Sequence, residues 1–238
     1  RGPVSEAGAG TGPRRPAPGA APPGTRRVGI LGGTFDPPHL GHLAIAEEAR
    51  EALHLERVLF VPAGRPWQKA DREVTPPEIR LAMVRRAIEG NRAFDVDRRE
   101  IDRPGPTYTV DTLVELAAAA PAATELWLIL SAEALAGLPT WREPGRILEL
   151  ARLCVVPRGP HADPAGPVDR FLAAFPAAAD RLAVLDRPRR AISSTEIRAR
   201  VAAGRSIRYL VPDAVAELVT RYALYRPAGA VPAPAPDA

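Results

Sequence analysis

An α/β fold, a doubly wound parallel sheet with helices on both faces, is predicted by three features of the sequence. Short apolar runs alternate with helix-period stretches through most of the 238 residues. The runs at Arg27–Leu31, Arg57–Val61 and Leu126–Leu130 are almost uniformly apolar, as strands covered on both faces must be. The first of them runs into Gly32 and Gly33 and leads through a short turn into a helix. Such sheets open toward ligands beyond the carboxyl ends of their strands.

The elements follow in chain order. Residues 1–25 are rich in Gly, Pro and Ala and are expected to be disordered, as is the Pro/Ala tail over 227–238. A single domain over 26–226 remains. After the strand at Arg27–Leu31, Leu43–Leu53 places Ile45, Ala49, Ala52 and Leu53 on one helical face. Arg57–Val61 is the second strand. Pro76 and Pro77 then open a helix whose inward face is Ile79, Ala82, Met83 and Ala87. Phe94–Ile101 alternates apolar and charged residues, as an edge or half-buried strand does. Thr109–Ala120 is helical with Val110, Leu113, Val114 and Ala117 aligned, and Leu126–Leu130 is a central strand. A helix over 143–150 precedes strands at Leu153–Val156 and Arg181–Leu185, and residues 158–170, rich in Pro and Gly, read as a long loop. Helices at Thr195–Ala203 and Pro212–Tyr222 close the domain. The loops 32–42, 62–75, 131–141 and 186–195 each follow a strand, so a Rossmann-like sheet brings them to one crevice.

Composition narrows the class. With 46% hydrophobic and 25% charged residues the chain can bury a core, and no apolar run is long enough to span a bilayer. The N-terminus lacks the apolar segment of a secretory signal, and the lone Cys154 rules out an internal disulfide framework, which fits a reducing, cytoplasmic setting. The formal charge is +4, almost all of it arginine, and Lys69 is the only lysine. Abundant Ala, Pro and Arg together indicate a GC-rich coding bias. No basic stripe interleaved with aromatics supports a nucleic-acid partner.

The chemistry concentrates in GGTFDPPHLGHL, residues 32–43. Gly32 and Gly33 let backbone approach a phosphate closely. Asp36-Pro37-Pro38 is a rigid turn, with Asp36 read as bonding loop amides. His39 and His42 stand three apart across the helix start, where free N–H groups and the helix dipole favour an anion. A second helix start lies at ISSTEIR, residues 192–198: Ser193 as N-cap, Glu196 three residues on, and Arg198 one turn in. Either turn alone is explained by a capped helix; together they describe two walls of a polyphosphate site.

The turn GGTFDPPHLGH resembles the signature of the nucleotidyltransferase superfamily that carries an H-x-G-H motif. With PTYTVDTL at 106–113, LPTW at 138–141, ISSTEIR and the C-terminal LYR at 224–226, the chain resembles bacterial nicotinate-nucleotide adenylyltransferases. The resemblance implies adenylyl transfer from ATP, with its Mg²⁺, to nicotinate mononucleotide, giving deamido-NAD and pyrophosphate in NAD biosynthesis. It implies catalytic roles for His39, His42 and Arg198, and ATP contacts from Gly32, Gly33, Thr34, Phe35, Ser194 and Thr195. Lys69, in the PWQK loop, would reach toward phosphates, and Tyr108, Thr109 and Trp141 would hold the acceptor. N–H donors at the start of the helix at Thr109, read as its N-cap, suit a carboxylate, and Trp141 is placed either to stack on a pyridinium ring or to pack the core.

Two departures stand out. Where the family shows G-x-D after the fourth strand, this chain has Ser131-Ala132-Glu133, so sugar contacts from Ser131 and Glu133 are expected to be weaker or shifted. PWQK also carries Gln68 where the family has histidine. No protein metal ligands, membrane partner or nucleic acid are expected, and a homo-oligomer is left open. The rival readings are a sister adenylyltransferase acting on nicotinamide mononucleotide or phosphopantetheine, and a nucleotide-binding module without catalysis. A Rossmann oxidoreductase is disfavoured, because the turn lacks G-x-G-x-x-G.

Overall fold

The computed structural model of the protein describes residues 22–65, 73–157, 164–186 and 192–227. Its centre is a six-stranded sheet in the order β3-β2-β1-β4-β5-β6, with every neighbouring pair parallel. The strands are β1 (Arg26–Gly33), β2 (Arg57–Pro62), β3 (Phe94–Val96), β4 (Thr124–Ser131), β5 (Ala151–Val156) and β6 (Leu182–Val184). The order reverses between β1 and β4, which pair from Arg26 opposite Thr124 to Ile30 opposite Leu128. Beyond the carboxyl ends of these two strands lies the crevice that such a reversal opens.

The period-two alternation of each strand divides the core. On one face Val28, Ile30, Leu59, Val61, Leu126, Leu128, Leu130, Leu153 and Val155 pack beneath α4 (Thr109–Ala119), α5 (Ala132–Gly137), α6 (Pro144–Leu150) and α7 (Ala165–Ala174). On the other face Val58, Phe60, Trp127, Ile129, Cys154 and Val156 pack against α1 (Leu40–Ala52) and α2 (Pro77–Ile88). A third cluster joins Met83 and Ala87 of α2 to Ile197 of α8 (Ser194–Ala202) and to Val215 and Val219 of α9 (Asp213–Arg221). Among the described residues no helix is long and apolar enough to cross a membrane.

Several expectations need correction. The predicted strand over Phe94–Ile101 stops at Val96, and Arg99–Asp102 forms a short helix, α3. The Asp97 carboxylate accepts the Arg99 N–H at 2.9 Å, which starts that turn and ends the strand. In α4 the buried stripe is Val110, Leu113 and Leu116 with Thr112, while Val114 is 43% exposed. The inward face of α2 is wider than expected: Val84 and Ile88 point to the sheet and Met83 and Ala87 to the outer cluster, because α2 lies between two layers. The segment 158–170 is not wholly loop, since α7 begins at Ala165 with Pro167 in its first turn, where a missing N–H costs nothing.

In α1 the helix starts three residues earlier than Leu43, and Ala46 and Ala49 are its fully buried positions while Ile45 lines the crevice. The disorder expected for 1–21 lies outside the described residues, and 22–25 make a turn closed by Thr25 N–H to the Pro22 carbonyl at 3.0 Å. The tail beyond 227 also lies outside them.

Candidate active site

A cavity of about 410 Å³ sits at the carboxyl ends of β1 and β4. Gly32, Gly33, Thr34, His39 and His42 form one side, and Ser194, Thr195 and Arg198 another. Tyr108, Thr109, Ser131 and Trp141 line the far end. The loops of four different strands thus meet as the parallel topology requires.

Each glycine of the signature turn has its own reason. A Cβ on Gly32 would meet nothing within 4 Å, so it would project into open space at the cavity wall. A Cβ on Gly33 would instead meet the Phe35 ring at 3.2 Å. That ring folds back beneath the turn, edge-on to His42 at 4.9 Å and beside Phe60 at 5.8 Å, and is 2% exposed. Phe35, expected among the nucleotide contacts, is therefore a core side chain that supports the site from below. It holds φ at +50°, a left-handed conformation that carries the chain into the cis Asp36–Pro37 bond.

His39 is the N-cap of α1 and His42 its third residue. The His39 N–H donates to Nδ1 of His42 at 3.2 Å, and the two rings stack at 3.7 Å. This is a capping box made by histidine. A neutral His42 that accepts at Nδ1 carries its proton on Nε2, so its remaining ring nitrogen is a donor. Gly41 makes room for the pair, since a Cβ there would come within 2.9 Å of the His39 ring.

The second wall is tied directly to the first. Ser193 caps α8, its hydroxyl accepting the Glu196 N–H at 3.1 Å. The Ser194 hydroxyl donates to the Pro37 carbonyl at 2.9 Å, and Arg198 Nη1 donates to the Asp36 carbonyl at 2.8 Å. Arg198 Nη2 also donates to the Thr195 hydroxyl at 3.2 Å. The N-termini of α1 and α8 are thereby held at one cavity, with two positive dipole ends and a guanidinium facing the same space.

Two residues outside the expected set organise this wall. Arg80, on α2, is 1% exposed and donates to three carbonyls: Thr75 at 2.8 Å, Thr34 at 2.8 Å and Gly64 at 3.0 Å. It joins the signature turn to both flanks of the loop after β2. Burial lowers its pKa from the ordinary arginine value, opposed by the charge of Asp36. Tyr225 comes from the C-terminal LYR and donates its hydroxyl to Asp36 Oδ1 at 2.8 Å. Asp36 is structural, as expected, but through this phenol from the far end of the chain. Burial raises the Tyr225 pKa, with the Asp36 charge adding to it, so the phenol stays a donor.

At the far end Tyr108, not Thr109, is the N-cap of α4, and Thr109 opens the helix. Trp141 ends a 3-10 turn with its N–H on the Leu138 carbonyl at 3.0 Å, and it both packs on the core and lines the cavity. Glu100, another residue not anticipated, lies in the wall there and accepts the Thr112 hydroxyl at 2.7 Å. Burial raises its carboxyl pKa, against hydrogen bonds from Thr112 and Thr107.

The departures also find places. Ser131 caps α5, accepting the Ala134 N–H at 3.2 Å, and remains in the cavity wall. Glu133 is exposed and outside that wall, because Ala132 takes the inward position as α5 begins. Glu133, expected to make a sugar contact, is thus a solvent-facing residue. Lys69 lies outside the described residues. Among the described residues no three His, Cys, Asp or Glu side chains group as metal ligands.

Residues 30–200 match the cytidylyltransferase-like family. The chain is 52% identical over 201 residues to a protein of Roseiflexus sp. (strain RS-1) named probable nicotinate-nucleotide adenylyltransferase, covering 84% of this chain and 98% of that one. A protein of the same name from Corynebacterium kroppenstedtii is 45% identical over 208 residues, covering 86% and 93%. In fold, the chain is similar to the nicotinic acid mononucleotide adenylyltransferase of Plasmodium falciparum complexed with NaAD. The TM-score is 0.68 at 16% identity, over 84% of this chain and 97% of that one. The chain belongs to the nicotinate-nucleotide adenylyltransferases of the cytidylyltransferase-like family.

Proposed function

We propose that the protein transfers the adenylyl group of ATP to nicotinate mononucleotide, releasing pyrophosphate and forming deamido-NAD. The observation that carries this reading is one cavity with two chemistries. The starts of α1 and α8, with His39, His42 and Arg198, face one end, and the start of α4 with Trp141 faces the other. The first suits a polyphosphate, the second a flat ring bearing a carboxylate.

The 5′-phosphate of the acceptor attacks the α-phosphorus of ATP. A P–O bond forms on one side as the bond to the β-phosphate oxygen breaks on the other. The nucleophile is already anionic, so no general base and no covalent enzyme intermediate is required. The protein aligns two polyanions and stabilises charge on the departing pyrophosphate. His42, its neutral tautomer set by the His39 N–H, donates from Nε2 to phosphate oxygen. Arg198 and the first amides of α8 hold the β- and γ-phosphates, and Gly32 leaves room for backbone approach. Magnesium would enter as part of the substrate, MgATP, and would offset negative charge on the phosphates.

Pyrophosphate release measured with nicotinate mononucleotide, nicotinamide mononucleotide and phosphopantetheine tests the reading. Turnover highest with the nicotinate acceptor is expected. Preference for another acceptor assigns a sister activity, and ATP binding without turnover of any acceptor leaves a binding module.

A further inference from the structure

We propose that Arg142 is a specificity-determining residue for the acid acceptor: its guanidinium offsets the Asp111 charge at the start of α4, so that this helix end accepts a carboxylate. The inference rests on the adenylyl-transfer reading above and deepens it.

A helix N-terminus attracts an anion only when its own first turn leaves the field unopposed. In α4 that turn carries Asp111, 35% exposed and itself behind the cavity wall, whose charge opposes the positive helix end that an incoming carboxylate would meet. Arg142 lies 3.5 Å from Asp111 and sets its guanidinium over the Tyr108 ring, 5.1 Å from the ring centre. It lines the cavity together with Tyr108, Thr109 and Trp141. Glu143, its other acidic neighbour, is 3.6 Å away, half-exposed, and outside the cavity wall.

Local structure explains why Arg142 is held there. Trp141 closes the 3-10 turn, and Glu143 adopts a left-handed conformation, φ +49°, that redirects the chain into α6. The residue between them is thus presented to Tyr108. A planar guanidinium can lie on that ring and face Asp111 at the same time; an ammonium is a compact point charge and does the first less well. A carboxamide ring carries no charge and gains nothing from this balance, whereas a carboxylate loses its place when Asp111 is left alone. Arg142 therefore discriminates by charge, by leaving the helix-end amides free to favour the carboxylate, while Trp141 serves both rings alike.

The test is steady-state pyrophosphate release by the full chain with nicotinate and nicotinamide mononucleotides. In Arg142→Gln the kcat/KM for the nicotinate acceptor should fall about tenfold, mainly through KM, with the amide acceptor changing less than about twofold. Adding Asp111→Asn to that variant should restore most of the loss, because the first turn of α4 is then neutral. Equal loss with both acceptors, no loss with either, or no recovery in the double variant overturns the proposal while leaving the parent reading intact. A wild-type protein that does not turn over the nicotinate acceptor overturns both.

Discussion

The hydroxyl of Tyr225 donates to Asp36 at 2.8 Å, joining residues 189 positions apart at the back of the signature turn. Asp36 in turn offers its carbonyl to Arg198, so one turn residue holds both the C-terminal segment and α8. Asp36 is 2% exposed, and a buried carboxylate stripped of a donor is costly. Tyr225→Phe keeps the ring and removes the donor. It should destabilise the protein by roughly 1–2 kcal/mol. It should also raise the KM for ATP several-fold by loosening the turn. Urea unfolding and ATP-dependent pyrophosphate release check both, and unchanged values in both would show the bond to be idle.

Arg80 is the other clamp, and its three carbonyl acceptors lie in different directions, which a guanidinium fork can reach and a single ammonium cannot. Arg80→Lys should cost about 2–3 kcal/mol of stability, as buried carbonyls lose partners. Turnover should fall beyond what unfolding explains, because Thr34 and both flanks of the loop after β2 are no longer fixed. Added guanidinium ion at low concentration should recover part of the turnover in Arg80→Ala, measured where the variant is folded by circular dichroism. Absence of recovery would reduce Arg80 to a purely structural role.

These two clamps mark where the sequence stops being legible. The strands could be read because parallel strands must be apolar on both faces, and the signature turn because glycines, prolines and histidines crowd into it. Arg80 was invisible for the opposite reason: an arginine in an amphipathic helix reads as solvent-facing until the carbonyls it meets are known. Val114 does not belong to the α4 stripe because apolar identity does not reveal which side of a helix its neighbours cover: α6 packs on α4 yet leaves Val114 43% exposed. The strand predicted to Ile101 failed at Asp97, whose side chain competes with the ladder for the Arg99 N–H. Phe35 sits in the middle of the motif yet belongs to the core, since the turn needs a floor as well as a surface.

His42 has two duties that can be separated. Its Nδ1 completes the cap of α1, and in the proposed reaction its Nε2 donates to phosphate. Glutamine at a third helical position serves the same capping role. His42→Gln should therefore stay within about 0.5 kcal/mol of wild-type stability while turnover falls on the order of 10²-fold or more. His42→Ala should lose turnover similarly and about 1 kcal/mol of stability as well. Thermal unfolding set beside single-turnover rates distinguishes the two, and near-normal turnover in either variant would remove His42 from the chemistry.

Glu100 gives the pH dependence its sign. Burial raises its carboxyl pKa above the ordinary 4.5, and the nearby Asp97 charge pushes the same way, while Thr112, Thr107 and Arg103 oppose. The folded state then binds this proton more tightly than the unfolded chain does. Its contribution to stability is full below the unfolded pKa and is lost as pH rises through the folded pKa. Glu100→Gln keeps an oxygen for the two threonine hydroxyls and removes the charge. Above about pH 4.5 the wild-type Tm should lose ground relative to the variant as pH rises. Tm–pH curves for both proteins, subtracted, isolate this group from the other carboxylates. A flat difference would mean that the Glu100 charge is fully compensated in the fold, and a difference of opposite sign would mean that Arg103 and the hydroxyls outweigh burial.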